Sequence, residues 1–121
     1  LIIIMEAKHD PKTATLSSHV LDTSLGTPGK ALSMKLFVQN EDGSYKALSA
    51  HKTNSDGRVK DFPTLVAGVY KLVFDTDGYY KALNTECFYP ECSIVFRTKL
   101  GEHYHVPLLV SPFGYTTYRG S

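Results

Sequence analysis

Short runs in which apolar and polar residues alternate make up most of this chain, and clusters of turn residues separate them. The clearest runs are 68–74 (Gly-Val-Tyr-Lys-Leu-Val-Phe) and 103–111. Alternation with a period of two is the pattern of a β-strand that has one face against the core. The pattern predicts seven or eight strands, of which seven can be bounded: 16–22, 32–39, 45–53, 68–74, 93–99, 103–111 and 114–119.

Turn-forming residues join these strands. Residues 40–43 (Asn-Glu-Asp-Gly) predict a hairpin turn, 54–57 (Asn-Ser-Asp-Gly) predict a second turn, and 26–29 predict a loop. Residues 75–84 are the one helix candidate, and their turn residues and paired tyrosines predict a short helix at best. Many short strands at regular spacing are typical of a β-sandwich, so the predicted fold class is all-β.

The composition fits one globular domain and argues against several kinds of partner. The chain has 121 residues, 42% of them hydrophobic and 21% charged. A chain of this length can bury a core large enough to be stable without disulfides or a structural metal. A formal net charge of +1, without a basic run, argues against nucleic acid or an anionic membrane as the main partner. The two cysteines, Cys87 and Cys92, lack the spacing of a redox motif or a zinc knuckle.

Residues 1–14 are predicted to be a leader, polar over 6–14, that precedes a domain spanning 15–121. The apolar run 1–5 is too short for a membrane span or a complete signal peptide. Two origins stay open for this run: a truncated chain, or residues added ahead of a natural start at Met5.

Four basic side chains are candidate catalytic or metal-binding residues. Alternation places His103 and His105 on the outward face of one strand, about 7 Å apart along it. His19 lies on the outward face of the first strand, and Arg58 follows directly on a turn. Solvated surface residues are the simplest interpretation of each, and a zinc site of His19, His103 and His105 is an alternative. No serine-hydrolase or phosphate-binding motif is present in the sequence.

The chain ends in Tyr118-Arg119-Gly120-Ser121, directly after a strand-like run. This ending combines a phenol, a permanent cation, a flexible glycine, a hydroxyl and a free carboxylate. A frayed tail is the ordinary interpretation of such an ending. That interpretation changes when the ending is considered with the other motifs.

Together the motifs strongly resemble the 5-hydroxyisourate hydrolases, a branch of the transthyretin-like family. The resemblance covers about 15–121, and the sequence shows no departure from the motif set. The terminal tetrapeptide separates these hydrolases from transthyretin, the hormone carrier, which lacks the histidines and the arginine. The segments that carry the resemblance are His19-Val20-Leu21-Asp22, Gly26-Thr27-Pro28, Asp56-Gly57-Arg58, 103–109, Ser111-Pro112-Phe113-Gly114-Tyr115 and the terminal tetrapeptide.

The resemblance implies a transthyretin-like β-sandwich of two four-stranded sheets with one short helix. It also implies a homotetramer whose sites lie where two dimers meet around a central channel. The expected reaction is hydrolysis of 5-hydroxyisourate to 2-oxo-4-hydroxy-4-carboxy-5-ureidoimidazoline in urate breakdown, with no cofactor and no metal. An intracellular location follows, with peroxisome and cytoplasm both open. The implied catalytic residues are His19, Arg58, His105 and Ser121, and the implied substrate-binding residues are Arg58, Tyr118, Arg119, Gly120 and Ser121.

Opening a cyclic amide needs an attacking water, a base, a donor to the oxyanion and a proton for the leaving nitrogen. The resemblance leads us to expect that His19 and His105 share the acid–base work, with either one as the base. Arg58 would orient the substrate and offset negative charge. Ser121 would act through its hydroxyl or its terminal carboxylate, and Tyr118 would wall the pocket. Arg119 has two open roles, a substrate anchor or a salt-bridge clamp on the tail.

The main alternative is a transthyretin-like carrier of a small aromatic ligand in the tetramer channel. The bulky side chains of Tyr118 and Arg119 would narrow such a channel, which favours the hydrolase. Without the resemblance, the sequence predicts only a β-sandwich with a face lined by histidine and arginine.

Overall fold

The structure is a computed structural model, and it describes residues 11–121. Nine strands and one short helix lie in this part of the chain. In chain order they are β1 (Thr15–Asp22), β2 (Thr27–Pro28), β3 (Ser33–Gln39), β4 (Tyr45–Lys52), β5 (Arg58–Val59), β6 (Gly68–Phe74), α1 (Thr76–Ala82), β7 (Cys92–Thr98), β8 (His103–Ser111) and β9 (Gly114–Thr117).

The strands form two sheets, as the sequence predicts. One sheet has the order β2–β1–β8–β9, with β5 also pairing with β1, and the other has the order β4–β3–β6–β7. The first sheet thus has five strands where four are predicted. The difference comes from β2 and β5, which are two residues long and therefore too short to show alternation. Residues 26–29, expected to be only a loop, accordingly contain a strand that pairs with the end of β1.

Most predicted strands match the observed ones to within one residue at each end. The last predicted strand, 114–119, ends two residues early, at Thr117. The helix predicted within 75–84 is present and short. It begins after Asp75, whose side chain caps it by accepting a hydrogen bond from the Gly78 N–H, and it ends before Asn84, which has a φ of 52°.

The core lies between the inward faces of the two sheets. In β1 and β8 every second residue is buried, as alternation predicts, so the other face of each strand points outward. Pro107 is an exception, since it belongs to the outward row of central strand β8 and is nevertheless buried. The buried apolar residues of the two sheets include Leu16, Val20, Val106, Leu108 and Val110 from the first and Met34, Leu36, Tyr70, Leu72 and Phe74 from the second.

Asp22 is a carboxylate buried at the end of β1, and its oxygens are well satisfied. It accepts hydrogen bonds from the backbone N–H groups of Ser24 and Leu25 and from the hydroxyls of Ser24 and Tyr79. Burial acts to raise the pKa of Asp22, but these hydrogen bonds outweigh it and hold the pKa below its ordinary value. The ionised group fixes the turn that leads out of β1.

Part of the expected leader lies outside the described residues, namely 1–10. Within the rest, Ala14 is fully buried and exchanges two backbone hydrogen bonds with Leu65, of 2.7 and 2.8 Å. No helix within 11–121 is both long and apolar enough to cross a bilayer.

Candidate active site

Arg58 is brought beside His19 by the turn that precedes β5. In the antiparallel pair of β1 and β5, Arg58 lies directly opposite His19. The Asn54 side chain shapes the turn by accepting hydrogen bonds from the backbone N–H groups of Asp56 and Arg58, at 2.9 and 3.0 Å. Gly57 has a φ of +73°, and a Cβ there would lie 2.4 Å from the carbonyl oxygen of Val20. A glycine is therefore required for this close approach.

His105 joins the pair from β8, which runs parallel to β1. The parallel register places Pro107 opposite His19 and Ser17 opposite His105, so both histidines lie on the outward face of the same sheet. Their ring centroids are 6.5 Å apart, and the ring planes differ by 28°. Two imidazoles at this spacing can act on opposite ends of one small molecule.

The C-terminal tail passes over His105. After β9 ends, the chain continues beside β8, and the Gly120 N–H donates a 2.8 Å hydrogen bond to the carbonyl oxygen of His105. A Cβ on Gly120 would lie 2.5 Å from Cδ2 of the His105 ring, so a side chain there would displace the tail or the ring. Ser121 follows and is exposed. The tail thus lies against His105 at Gly120, and Ser121 follows directly.

Arg119 and Tyr118 take different positions along the tail. The Arg119 guanidinium lies 4.5 Å from the ring centroid of Tyr104, and its Nη2 donates to Oε1 of Glu102 at 3.4 Å. Side chains alternate along the extended tail, so Arg119 points to the opposite side from Gly120 and His105. Tyr118 lies on the His105 side and is 58% exposed. Arg119 thus ties the tail to Glu102 and Tyr104, and Tyr118 stays exposed on the side of the sheet where His105 lies.

Burial and the neighbouring cation keep both histidines neutral. Burial is the main cause that lowers the pKa of His19, the Arg58 charge adds to it, and Asp56 opposes it in part. Burial also comes first in lowering the pKa of His105, followed by Arg58 and His19. Because the pKa of each imidazole lies below its ordinary value, both are available as proton acceptors at neutral pH.

A series of hydrogen bonds links His105 to Ser17, His103 and Thr15, and the sequence alone did not predict it. Ser17 Oγ lies 2.8 Å from Nδ1 of His105 and 3.2 Å from Nε2 of His103. The other nitrogen of His103, Nδ1, lies 2.7 Å from Oγ1 of Thr15. Alternation along the strand does place Ser17 on the His19 face, but its partners are 86 and 88 residues away.

A zinc site formed by the three histidines does not fit this geometry. Both nitrogens of His103 already face hydroxyls, those of Thr15 and Ser17. Within the described range 11–121, no three His, Cys, Asp or Glu side chains are grouped so that they could hold a metal ion.

A cleft of about 380 Å³ opens next to the histidine pair. Its polar side is formed by Ser17, Arg58, Lys60 and His103, and Phe62 is one of its apolar residues. A space of this size is within the range of small-molecule sites. His19 and His105 do not line the cleft themselves, and Arg58 and Ser17 connect it to them.

The chain is similar to known proteins over most of its length. The model of the HIUase/Transthyretin family matches residues 16–120. A probable 5-hydroxyisourate hydrolase of Caenorhabditis elegans is 45% identical, over 90% of this chain and 83% of that protein. The solved 5-hydroxyisourate hydrolase of Klebsiella pneumoniae superimposes with a TM-score of 0.77 at 34% identity, over 88% of this chain and 99% of that one. Transthyretin from Sparus aurata superimposes with a TM-score of 0.80 at 30% identity, over 87% and 95% of the two chains.

Proposed function

This chain belongs to the HIUase/Transthyretin family, and we propose that it hydrolyses 5-hydroxyisourate to 2-oxo-4-hydroxy-4-carboxy-5-ureidoimidazoline in urate breakdown. The relatives named 5-hydroxyisourate hydrolase support this reaction. The observation that carries the proposal is the meeting of His19, Arg58 and His105 on one sheet face, with the C-terminal tail hydrogen-bonded to His105. Carrier function is less well supported, although the fold is shared with transthyretin.

The two histidines supply the acid–base chemistry. Hydrolysis requires one group to take a proton from water as it attacks the carbonyl and another to give a proton to the leaving nitrogen. His19 and His105 have pKa values below the ordinary value for histidine, so each is neutral when the substrate binds. The histidine that takes the proton from water becomes an imidazolium, and this same proton is then given to the leaving nitrogen, either directly or through the other histidine. With 6.5 Å between their ring centroids, both imidazoles can reach a substrate that lies over this sheet face. Either histidine can be the base in this arrangement.

Arg58 binds the substrate and stabilises negative charge. Its guanidinium carries donors in a planar fork, which suits the carbonyl and amide edge of an oxidised purine. Since Arg58 lies opposite His19 in the sheet, the same cation faces the carbonyl oxygen that becomes negative after water attacks. Its charge therefore contributes both to binding and to the transition state.

The tail completes the site from the other side. We assign Ser121 to holding the water or orienting a histidine, by its hydroxyl or its carboxylate, and Tyr118 to walling the substrate. Gly120 lets the tail lie close to the His105 ring. Arg119 acts as a clamp, because it pairs with Glu102 and stacks on Tyr104 instead of facing His105. A covalent Ser121 nucleophile is disfavoured because a terminal residue is hard to preorganise.

We propose a homotetramer with the sites where two dimers meet. Tyr118 is a large side chain left 58% exposed on the outward face of the site sheet. β9 and β7 are edge strands of the two sheets, so each has an unpaired side that a second copy can cover. We also propose that the protein acts inside the cell, in peroxisome or cytoplasm.

The test is the decay of the ultraviolet absorbance of fresh 5-hydroxyisourate, generated from urate by urate oxidase. The wild-type chain should accelerate the decay, and a variant that lacks Ser121 should lose most of the acceleration while keeping its size and melting temperature. Activity that survives a chelator would exclude a required metal. Decay at the spontaneous rate with an intact tetramer would refute the hydrolase and favour the carrier.

A further inference from the structure

A continuous chain of hydrogen-bonding side chains connects His105 to an exposed residue. It runs from His105 Nδ1 to Ser17 Oγ (2.8 Å), from there to His103 Nε2 (3.2 Å), and from His103 Nδ1 to Thr15 Oγ1 (2.7 Å). We propose that Ser17 and His103 form a proton relay between His105 and solvent. The proposal rests on the hydrolase function given above and adds two residues to its machinery.

The hydrogen bonds in this series can all be donated in either of two directions. A serine hydroxyl has one proton, so Ser17 donates to one histidine while it accepts from the other. When Ser17 donates to Nδ1 of His105, the proton of that imidazole lies on Nε2. When Ser17 donates to His103, His105 keeps its proton on Nδ1 and Nε2 is free. The direction of the chain therefore decides whether Nε2 of His105 is an acid or a base.

The transfer balances without any other reactant. Water gives a proton to Nε2 of His105, and the O–H bond of the water breaks as its oxygen attacks the carbonyl carbon. Nδ1 of His105 then gives its proton to Ser17 Oγ, and the hydroxyl proton of Ser17 moves to Nε2 of His103. His103 becomes the imidazolium and His105 returns to a neutral imidazole. Reversal of the same steps supplies a proton to the leaving nitrogen.

Burial and charge favour the direction outward from His105. Burial, followed by the charges of Arg58, His19 and His103, lowers the pKa of His105 and so disfavours a proton that stays there. His103 is exposed, and its Nδ1 is bonded to Thr15 Oγ1, which also lines the 380 Å³ cleft, so its proton can reach solvent through that hydroxyl. The tail lies against Cδ2 of His105, on the other edge of the ring from Nδ1. The Ser17 side is therefore the route by which a proton leaves His105 once the substrate is bound.

Ser17 is a positioning residue in this scheme, and its test needs a readout that a structural role would not change. Ser17→Ala removes the hydroxyl and Ser17→Thr keeps it. We expect Ser17→Ala to lower kcat about tenfold with KM unchanged, less than a directly acting acid–base group because a water can replace the hydroxyl in part. Ser17→Thr should restore kcat. Wild-type kcat in Ser17→Ala would overturn the relay.

His103→Asn tests the outer end of the chain. Its turnover should rise with the concentration of imidazole buffer, because the buffer then carries the proton that His103 carries in the wild type. Wild-type turnover should be independent of that buffer. The two proteins are compared at constant ionic strength and pH, since the charges of Arg58, His19 and His103 all act on His105. Equal buffer dependence in both proteins would contradict the proposal.

A measurement on the free protein separates this proposal from the proposed function. The ¹⁵N chemical shifts of His105 report which ring nitrogen carries the proton. They should change in Ser17→Ala and return toward wild type in Ser17→Thr, whether or not 5-hydroxyisourate is the substrate. Identical shifts in wild type and Ser17→Ala would show that the bond from Ser17 to His105 does not set the tautomer, and the relay would fail. An inactive wild type with the expected shift change would instead refute only the proposed substrate.

Discussion

Gly120→Ala is the substitution that tests the position of the tail most directly. The added Cβ would lie 2.5 Å from Cδ2 and 3.1 Å from Cγ of the His105 ring. An ordinary carbon–carbon contact is about 3.5–4.0 Å, so the tail or the ring must move by roughly 1 Å. The obstacle is an imidazole held by Ser17 on its other edge, and a small shift of the ring would lengthen that hydrogen bond.

The displacement should affect activity much more than stability. A misplacement of about 1 Å in a catalytic group can lower the rate about 10²-fold, which is the loss of kcat/KM that we expect. The bond from the Gly120 N–H to the His105 carbonyl contributes about 1 kcal/mol to the free energy of unfolding at most, because the tail is largely exposed. The melting temperature should therefore change little.

The assay is the absorbance decay of 5-hydroxyisourate, measured with the melting temperature and the size of the assembly. Gly114→Ala is the matched control, because a Cβ at Gly114 would meet its nearest atom, Oγ of Ser111, at an ordinary 3.8 Å. We expect Gly114→Ala to keep wild-type activity. Wild-type kcat/KM in Gly120→Ala would show that the tail does not lie against His105 during turnover and would refute the reasoning.

Two further predictions concern pH. The kcat/KM of the wild type should rise with pH through an apparent pKa below 6.5, because burial and then Arg58 hold the pKa values of His19 and His105 below that ordinary value. In Arg58→Gln the same rise in kcat/KM should occur at higher pH, because the cation that lowers both pKa values is gone. A rise at the same pH in both proteins would contradict the assignment of the histidines. Asp22→Asn should lower the free energy of unfolding by about 1.5–3 kcal/mol at pH 7, because it removes the charge that strengthens the hydrogen bonds to Oδ1 and replaces Oδ2, the acceptor for Tyr79, by an NH2 group. The pKa of Asp22 is lowered in the folded state, so the stability it contributes is present above the ordinary value of 3.8 and lost as pH falls through the folded pKa. Urea unfolding as a function of pH should therefore show the gap between wild type and Asp22→Asn closing in acid, and a gap independent of pH would contradict this account.

The strands and their inward faces could be predicted from local pattern alone. A strand such as β6 or β8 has its alternation written within a few consecutive residues, and burial of one face is the free-energy gain that selects it. The two-residue strands β2 and β5 could not be found in this way. They exist because β1 offers an edge with which they can pair, and no local pattern records that edge.

For the site too, some features could be predicted from the sequence and others could not. The outward positions of His19, His103 and His105 followed from alternation, and the importance of Arg58 and of the terminal tetrapeptide followed from the family resemblance. That Arg119 pairs with Glu102 and stacks on Tyr104 could not be decided from the sequence, which left a substrate anchor equally open. The side to which Arg119 points depends on the register between the tail and β8, and the pairing of Gly120 with His105 fixes that register.

By itself the sequence determined which residues form strands, which side of each strand faces the core and, through its motifs, to which family the chain belongs. Only the tertiary structure decided which outward side chains are neighbours. The parallel pairing of β1 with β8 joins residues 88 positions apart and places Ser17 between His103 and His105, and the turn at Gly57 brings Arg58 to His19. The physical reason is that alternation reports only whether a residue is inside or outside, whereas the partner across the sheet is set by register, which depends on the packing of the whole sandwich.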